Sequence, residues 1–304
     1  YPEMVKRGYP SDYSTAVQAV GGTLGIIIPP SIVFVIYGST NGVSISKLLM
    51  SGMLPGILTA VVLCLYGYVV AKKENFPKSF DQFSLKRVLK SLKGAVWALM
   101  MPLIILGGIY GGIFTPTESA MIACAYGLVV SFFVTKELTV KNFFDVVSKT
   151  AASTANVTVM FLAAQVFGFL IAYYDITTTI ANFFVAVSPN WIIFMGLVFI
   201  LLTITGMFME VGATNVILSP LLAPVAAAFG IDPIHFGMVF VFLLALGQAT
   251  PPFGSTMFIA CGISGERVAA VIRRLLPFVL VEYACALVFA YVPWFSTFLP
   301  SLMA

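Results

Sequence analysis

The chain has 304 residues, of which 60% are hydrophobic and 9% are charged, with a formal net charge of +4. A soluble domain carries roughly 25% charged residues, so this composition excludes a soluble enzyme, a nucleic-acid-binding protein and a disordered protein. It also excludes a transmembrane β-barrel, whose strands alternate polar and apolar residues, because runs such as 191–203 are apolar throughout. We therefore expect an all-α polytopic membrane protein.

The predicted helices follow from the apolar stretches. In chain order these stretches are 14–28, 55–71, 95–113, 119–135, 158–173, 191–209, 216–229, 236–246 and 276–291. Several are shorter than the roughly 20 residues that a membrane span needs, and many end at Gly or Pro. We therefore predict broken helices and re-entrant helical hairpins among the spans, because irregular backbone at membrane depth has to be buried in protein or line a wet cavity.

An internal repeat relates the two ends of the chain by a shift of 222 positions. The shift places Pro29-Pro30 on Pro251-Pro252, and Leu54-Pro55 on Leu276-Pro277, without a gap. Each copy is predicted to form a helix, a Pro-Pro turn, a short return helix, an amphipathic stretch and a span that starts at Leu-Pro. Paired units with interrupted apolar segments are typical of secondary transporters, which bind substrate near the membrane midplane. The alternative is an old duplication kept only for packing.

The domain organisation follows from the repeat. We predict one transmembrane transport domain over 1–304, a fragment of a longer protein, since the chain starts at Tyr1 without an initiator Met or a signal peptide. The first hairpin unit is placed at 1–71, the connecting spans at 94–209 and the second hairpin unit at 213–300.

The charges leave the orientation in the membrane open. The loop 72–93 holds seven Lys and Arg residues, and short basic loops stay in the cytoplasm. Lys6, Arg7 and Lys47 place the opening of the first hairpin on the same side, although one predicted span separates it from the basic loop. The two indications conflict, so the side on which each hairpin opens is not assigned.

Each Pro-Pro interruption predicts a cation site beside an anion site. Two adjacent prolines remove two backbone donors and end the helix, so the preceding carbonyl groups lose their partners and a bound sodium ion can satisfy several of them. The return helix then begins with free N–H groups and a positive dipole end, which suits a carboxylate. The prolines predicted to support these sites are Pro29, Pro30, Pro251 and Pro252.

Two acidic residues lie at further interruptions. Glu118 follows Thr115-Pro116 in a pattern that predicts a capping box, and it also remains a candidate for supporting an ion site. Glu210 lies in an otherwise apolar run, where a carboxylate is either part of an ion site or a charge at a helix end. No HExxH motif, phosphate-binding loop or catalytic triad occurs. We therefore expect neither enzymatic activity nor a cofactor, with sodium as the only metal.

The interruptions also carry a resemblance to a known family. The motifs are Gly22-Thr23-Leu24-Gly25, Pro29-Pro30-Ser31, Tyr37-Gly38, Gly112–Glu118, Gly230–Gly237 and Gly247–Gly254. In order and spacing across nearly the whole chain they resemble the large membrane (permease) subunit of tripartite ATP-independent periplasmic (TRAP) transporters, with the N-terminal part of that family absent.

The resemblance implies an elevator-type sodium symporter of the bacterial inner membrane that imports an organic anion, either a carboxylate or a sialic-acid-like compound. It implies a small membrane subunit and a periplasmic substrate-binding protein as partners. The alternatives are a divalent-anion sodium symporter that works without a binding protein, and an intramembrane enzyme.

Sodium sites at both interruptions are likewise implied by the resemblance. For the second interruption the residues carried over are Gly206, Gly247, Thr250 and Phe253. The shift of 222 positions gives Gly25, Ile28 and Ser31 for the first, whose partner broken helix would lie in the absent segment. The residues predicted to contact substrate are Ser31, Gly254, Ser255 and Thr256. Thr256 stands where some relatives hold an amide or an acid, which leaves the substrate open.

Overall fold

The structure is a computed structural model that describes residues 1–77 and 85–303, apart from a number of side chains between positions 87 and 185. Lys78 and the rest of the predicted basic loop up to residue 84 lie outside the described residues. The helices are α1 (Pro2–Lys6), α2 (Ser11–Ile27), α3 (Ile32–Asn41), α4 (Ile45–Lys73), α5 (Leu85–Tyr110), α6 (Pro116–Val129, followed by a π-helical turn at Val130–Val134), α7 (Val140–Tyr173), α8 (Ile176–Val187), α9 (Trp191–Phe208), α10 (Val211–Ala228), α11 (Pro233–Gly247), α12 (Ser255–Ser264), α13 (Val268–Tyr291) and α14 (Trp294–Ser301).

The predicted all-α polytopic membrane fold is confirmed. Among the described residues, six helical segments are long and apolar enough to cross a membrane, or seven when α13 and α14, which are bent by 64° at their junction, are taken as one span. The chain forms two compact units, Tyr1–Ser79 with Ala164–Ala304, and Phe80–Ala163. Both Pro-Pro sequences lie in the first unit. The predicted domain boundaries stay predictions.

Helix α11 lies at the centre of the first unit. Every residue from His235 to Gly247 is buried, and a helix that is apolar all round is expected in a protein interior. It packs against α2, α4, α9, α10 and α13. The second Pro-Pro interruption follows directly, so it is held by the most buried helix of the unit.

The Pro-Pro sequences interrupt helices but do not form the predicted hairpins. Helices α2 and α3 make hardly any contact with each other, and Ser11–Asn41 counts as one span of 31 residues. The direction in which α3 leaves the Pro-Pro sequence follows from its packing partners, because α2 packs on α12 and α13 whereas α3 packs on α10. Helices α11 and α12 also make hardly any contact. We name residues 28–31 the first break and residues 248–254 the second break.

The connection between α9 and α10 does join two helices that pack against each other. Helix α9 ends at Phe208 and α10 begins at Val211, and the two helices contact each other. The predicted interruption near Glu210 is therefore the hairpin of this region. We name its connection, Met209 and Glu210, the α9–α10 turn.

The prediction that spans start at Leu-Pro was wrong. Pro55 lies inside α4 and Pro277 lies inside α13, and the predicted amphipathic stretch is simply the beginning of α4. Pro55 offers no N–H to the carbonyl of Ser51, one turn earlier, yet α4 continues through it, and neighbouring hydroxyls bond other carbonyls of the helix. In α4, Ser51 Oγ donates to the carbonyl of Leu48, and Thr59 Oγ1 donates to the carbonyl of Pro55.

The helix boundaries follow the predicted repeat. Adding 222 to the first residues of α2, α3 and α4 gives 233, 254 and 267, and α11, α12 and α13 begin at Pro233, Ser255 and Val268. Gly8 and Gly230, which the same shift relates, have φ values of +85° and +74°. These positions agree with a duplication, and the repeat itself stays a prediction.

Two glycines of α4 hold the first break in place. A Cβ atom on Gly52 would lie 2.6 Å from the carbonyl oxygen of Ile27, and one on Gly56 would lie 2.5 Å from Cγ1 of Ile28. Small residues four positions apart allow this close approach between membrane helices. The end of α2 is therefore seated directly on α4.

Candidate functional site

Gln248 ties the second break to the α9–α10 turn. Its Nε2 donates to the carbonyl oxygens of Gly206 at 3.1 Å and Met209 at 3.0 Å, and its Oε1 accepts from the hydroxyl of Ser255. Its own carbonyl accepts from the N–H and Oγ1 of Thr256, at 3.0 and 2.7 Å. One amide side chain therefore links the end of α11, the start of α12 and the α9–α10 turn.

Two of the predicted sodium-site residues are in direct backbone contact. A Cβ atom on Gly247 would lie 2.5 Å from both Cα and the carbonyl carbon of Gly206, and one on Gly206 would lie 3.1 Å from Cα of Gly247. Only glycine at both positions lets the end of α9 approach the end of α11 this closely. The two residues are far apart in sequence, and the fold brings them together.

Thr250 lies beside this contact and is 6% exposed. Its Oγ1 donates to the carbonyl of Leu246 at 2.7 Å and lies 3.0 Å from the hydroxyl of Tyr283. A hydroxyl has one proton and two lone pairs, so Thr250 keeps a lone pair for a cation. Its carbonyl accepts from the N–H of Gly254 at 3.1 Å, which closes the second break as a turn.

The other predicted residues of the second break have different surroundings. The ring of Phe253 is 59% exposed and contacts the ring of Phe208, with 5.3 Å between the centroids. Gly254 is buried and immediately precedes α12. The methyl group of Thr256 lies 3.6 Å from where a Cβ on Gly22 would be, so the start of α12 is packed on α2. Among the prolines, Pro251 is half-buried and Pro252 is exposed.

At the first break, the structure leaves buried oxygen atoms without partners. Ser31 precedes α3 and is 4% exposed, and its Oγ has no hydrogen bond within the described part of the chain. Asn215 of α10 donates from Nδ2 to the carbonyl of Val33 at 2.9 Å, and its buried Oδ1 has no partner there either. Unpaired buried oxygens are unfavourable, so their presence at the start of α3 favours a bound ligand.

The remaining predicted residues of the first break lie close to Ser31 along the chain. Gly25 is exposed within α2, and Ile28 is half-buried directly after that helix, with its N–H donating to the carbonyl of Leu24 at 2.8 Å. Pro29 is buried and Pro30 is exposed. Both the Pro29-Pro30 and the Pro251-Pro252 peptide bonds are cis.

The two acidic candidates cap helices. Glu118 and Thr115 form the predicted capping box at the start of α6, with Glu118 Oε2 accepting from the N–H of Thr115 at 2.8 Å. Glu210 caps α10 and accepts from the N–H of Ala213 at 2.9 Å. The structure thus gives Glu210 the helix-end role, one of its two predicted alternatives.

Three polar residues near the breaks were missed by the sequence reasoning: Asn215, Gln248 and Glu282. Asn215 is the sole amide in α10, and Glu282 is the sole carboxylate in α13. A polar group of this kind at membrane depth is a candidate for function on that ground alone, and this signal could have found all three.

The chain matches the model of a known protein family over most of its length. The family model described as "Tripartite ATP-independent periplasmic transporter, DctM component" matches residues 1–295. The isethionate TRAP transporter permease protein DctMQ of Oleidesulfovibrio alaskensis is 40% identical over 292 residues, which are 96% of this chain and 46% of that protein. The C4-dicarboxylate TRAP transporter large permease protein DctM of Vibrio cholerae is 35% identical over 320 residues, covering 99% of this chain and 70% of that protein.

The name of a third relative gives a different substrate. The sialic acid TRAP transporter permease protein SiaT of Haemophilus influenzae is 33% identical over 300 residues, which are 99% of this chain and 48% of that protein. The chain therefore spans about half the length of two of these relatives and about two thirds of the third. All three are named as transporter permeases, which disfavours the intramembrane-enzyme alternative.

Proposed function

Because the chain belongs to the DctM family of TRAP transporter large permeases, we propose that it imports an organic anion across the bacterial inner membrane, driven by sodium. We propose two protein partners, a small membrane subunit and a periplasmic binding protein that delivers the substrate. The fused name DctMQ of one relative is consistent with a membrane partner. The substrates in the relatives' names are isethionate, C4-dicarboxylates and sialic acid, which are all organic anions.

The contact between Gly206 and Gly247, with the buried hydroxyl of Thr250 beside it, is the observation that carries the proposal. Sodium is bound by oxygen atoms, and each backbone carbonyl has two lone pairs. The Gly206 carbonyl accepts one hydrogen bond from Gln248 and therefore retains a lone pair for a cation. No cluster of three His, Cys, Asp or Glu residues suited to a transition metal occurs among the described residues.

The substrate anion is proposed to bind where α3 and α12 begin. Both helices have 10 residues, and the free N–H groups of a helix N-terminus attract anions. The predicted substrate residues lie there, with Ser31 and Gly254 immediately before the two helices and Ser255 and Thr256 in the first turn of α12. The N–H and the hydroxyl of Thr256 both donate to the carbonyl of Gln248, so the donors proposed for the anion at α12 are the other N–H groups of that turn. Sodium at the adjacent breaks would add positive charge, so the anion binds more tightly when sodium is present. An elevator movement of this region across the membrane is part of the proposal.

Uptake by the full-length protein, co-reconstituted with its small subunit in liposomes, tests the function. We expect accumulation of a radiolabelled organic anion only when an inward sodium gradient and the binding protein are both present. Equal uptake with potassium in place of sodium would refute sodium coupling. Uptake that needs sodium and proceeds without the binding protein would instead favour the divalent-anion symporter.

Thr250→Val tests the second break. Valine keeps the shape of threonine and removes the hydroxyl, and a bond from a neutral group to a charged one is worth about 1.5–3 kcal/mol. We expect the sodium concentration for half-maximal uptake to rise about 10- to 100-fold, with substrate binding to the periplasmic protein unchanged. Thr250→Ser, which retains the hydroxyl, is the control. Equal sodium affinity in the valine and serine variants would remove Thr250 from the site.

Ser31→Ala tests the first break through two opposite readouts. Because Ser31 Oγ has no hydrogen bond in the described structure, its removal is expected to leave the unfolding temperature in the absence of sodium unchanged or slightly higher. Sodium-dependent uptake is expected to shift to higher sodium concentration. A clear loss of stability without sodium, together with unchanged sodium dependence, would assign Ser31 a purely structural role.

A further inference from the structure

Glu282 is a carboxylate buried within the helices of the first unit. It lies in α13, is fully buried and is 2.5 Å from the hydroxyl of Thr23 in α2 through its Oε1. Its second oxygen, Oε2, is buried and has no hydrogen-bond partner among the described residues. Neither the proposed sodium sites nor the proposed substrate site uses this group.

The hydroxyl of Thr23 lies between two oxygen atoms. Thr23 Oγ1 is 2.7 Å from the carbonyl oxygen of Val20 and 2.5 Å from Glu282 Oε1. A threonine hydroxyl has a single proton, so it can make a full-strength hydrogen bond to only one of these oxygens and otherwise shares the proton weakly between them. Both short contacts are hydrogen bonds if Glu282 is protonated, donating from Oε1 to Thr23, while Thr23 donates to Val20. An ionised Glu282 would leave at least one of the two short contacts between oxygen atoms without a full hydrogen bond.

Within the part of the chain that the structure describes, no cation is placed to neutralise an ionised Glu282. Arg274 of α13 pairs with Asp12 of α2, about 12 Å from Glu282 along α13 by helical rise. His235 of α11 contacts the carbonyl of Ala290, about the same distance away in the other direction. A buried charge without a partner is strongly unfavourable, and such a group takes up a proton instead.

The other titratable groups on the helices packed against α13 do not supply a cation for Glu282 either. Helix α4 has its lysines near its two ends, far from the middle of α13, and α9 has no titratable residue. The neutral titratable side chains of these helices and of α13 itself are Tyr13, Cys64, Tyr66, Tyr68, Cys261, Tyr283, Cys285 and Tyr291, and the remaining charged ones are Lys47, Lys72, Lys73 and Arg273.

We propose that Glu282 is a proton-binding site that holds α2 against α13. Tyr283, the next residue, bonds Thr250 in the second break at 3.0 Å. Two consecutive residues of α13 therefore contact the two interrupted spans, Glu282 through Thr23 and Tyr283 through Thr250. Loss of the proton places a charge in this contact, so it separates α2 from α13. The occupant is a proton and not a sodium ion, because a proton on Glu282 Oε1 turns both short contacts of Thr23 into hydrogen bonds.

Infrared spectroscopy of the full-length protein in lipid tests the proposal directly. At neutral pH we expect the carbonyl stretching band of a protonated carboxylic acid, lost in Glu282→Gln and retained in Glu210→Gln, the control for a capping carboxylate. Thr23→Val is expected to keep the band and shift it, because the carboxyl loses its hydrogen-bond partner. A wild-type spectrum without this band at neutral pH overturns the proposal, and that result requires no variant to fold.

Thermal unfolding provides a second readout, which does not depend on transport. Since the proton is held by the native state, raising the pH favours the unfolded state, and the wild type is expected to lose stability from mildly acidic to alkaline pH. Glu282→Gln is expected to show a flatter profile. Parallel profiles for the two proteins overturn the proposal. So does a sodium-dependent stabilisation that the wild type shows and Glu282→Gln lacks, because it would place sodium at Glu282.

Discussion

Gly247→Ala is expected to destabilise the protein and to reduce sodium-driven uptake more than about 10-fold. The added Cβ would lie 2.5 Å from the backbone of Gly206, and a backbone cannot rotate out of the way as a flexible side chain can. Overpacking of a close-packed interior costs about 1–3 kcal/mol, and here it also separates the two carbonyl-bearing segments that form the proposed sodium site. The measurements are the unfolding temperature of the purified protein and uptake in liposomes.

Gly262→Ala is the matched control for this variant. Gly262 also lies in a helix bordering the second break, and a Cβ there would have no atom within 4 Å. Alanine in place of a helical glycine is expected to be neutral or to stabilise by up to about 1 kcal/mol. If Gly247→Ala and Gly262→Ala had equal effects on both stability and uptake, the close contact between Gly206 and Gly247 would have no functional role.

Gln248→Ala is expected to have the second large effect. The substitution removes the donors to the carbonyls of Gly206 and Met209 and the acceptor for Ser255. Each buried polar group left unsatisfied costs about 1–3 kcal/mol, so we expect a loss of about 2–4 kcal/mol in the free energy of unfolding. Sodium affinity should fall as well, because the α9–α10 turn is released from the second break.

Gln18→Ala serves as the control for Gln248→Ala. The side chain of Gln18 is exposed on α2, and its amide is 3.8 Å from the sulfur of Met4. Its removal is expected to change the unfolding free energy by less than about 0.5 kcal/mol. A small effect of Gln248→Ala, similar to that of Gln18→Ala, would contradict the structural role of Gln248.

The sequence predicted where the helices are interrupted but not how they continue. Proline chemistry locates the breaks at Pro29-Pro30 and Pro251-Pro252, because it is local to the chain. The direction in which α3 and α12 leave the breaks depends on their packing partners, which are distant in sequence, and the hairpin prediction was therefore wrong. Pro55 shows the converse, since α4 continues through a proline at which local chemistry predicts a helix to end.

For the candidate site too, the sequence indicated individual residues but not the contacts between residues that are distant in the chain. The pairing of Gly206 with Gly247 was proposed from the resemblance to a family, since nothing in either local sequence shows that the two backbones meet. Glu210 was ambiguous until the N–H of Ala213 was seen to bond its carboxylate. Gln248 and Glu282 were missed because their partners, in the α9–α10 turn and in α2, are revealed only by tertiary structure.

Sodium titration of thermal unfolding tests the central proposal, that the two breaks bind sodium, most directly. The full-length protein would be measured at constant ionic strength with potassium replacing sodium, since a ligand that binds only the native state stabilises it by RT ln(1 + [L]/Kd). We expect the unfolding temperature to rise with sodium in the wild type and to respond only at much higher sodium in a variant that combines Ser31→Ala with Thr250→Val. An identical response to sodium and potassium in the wild type would contradict the proposal.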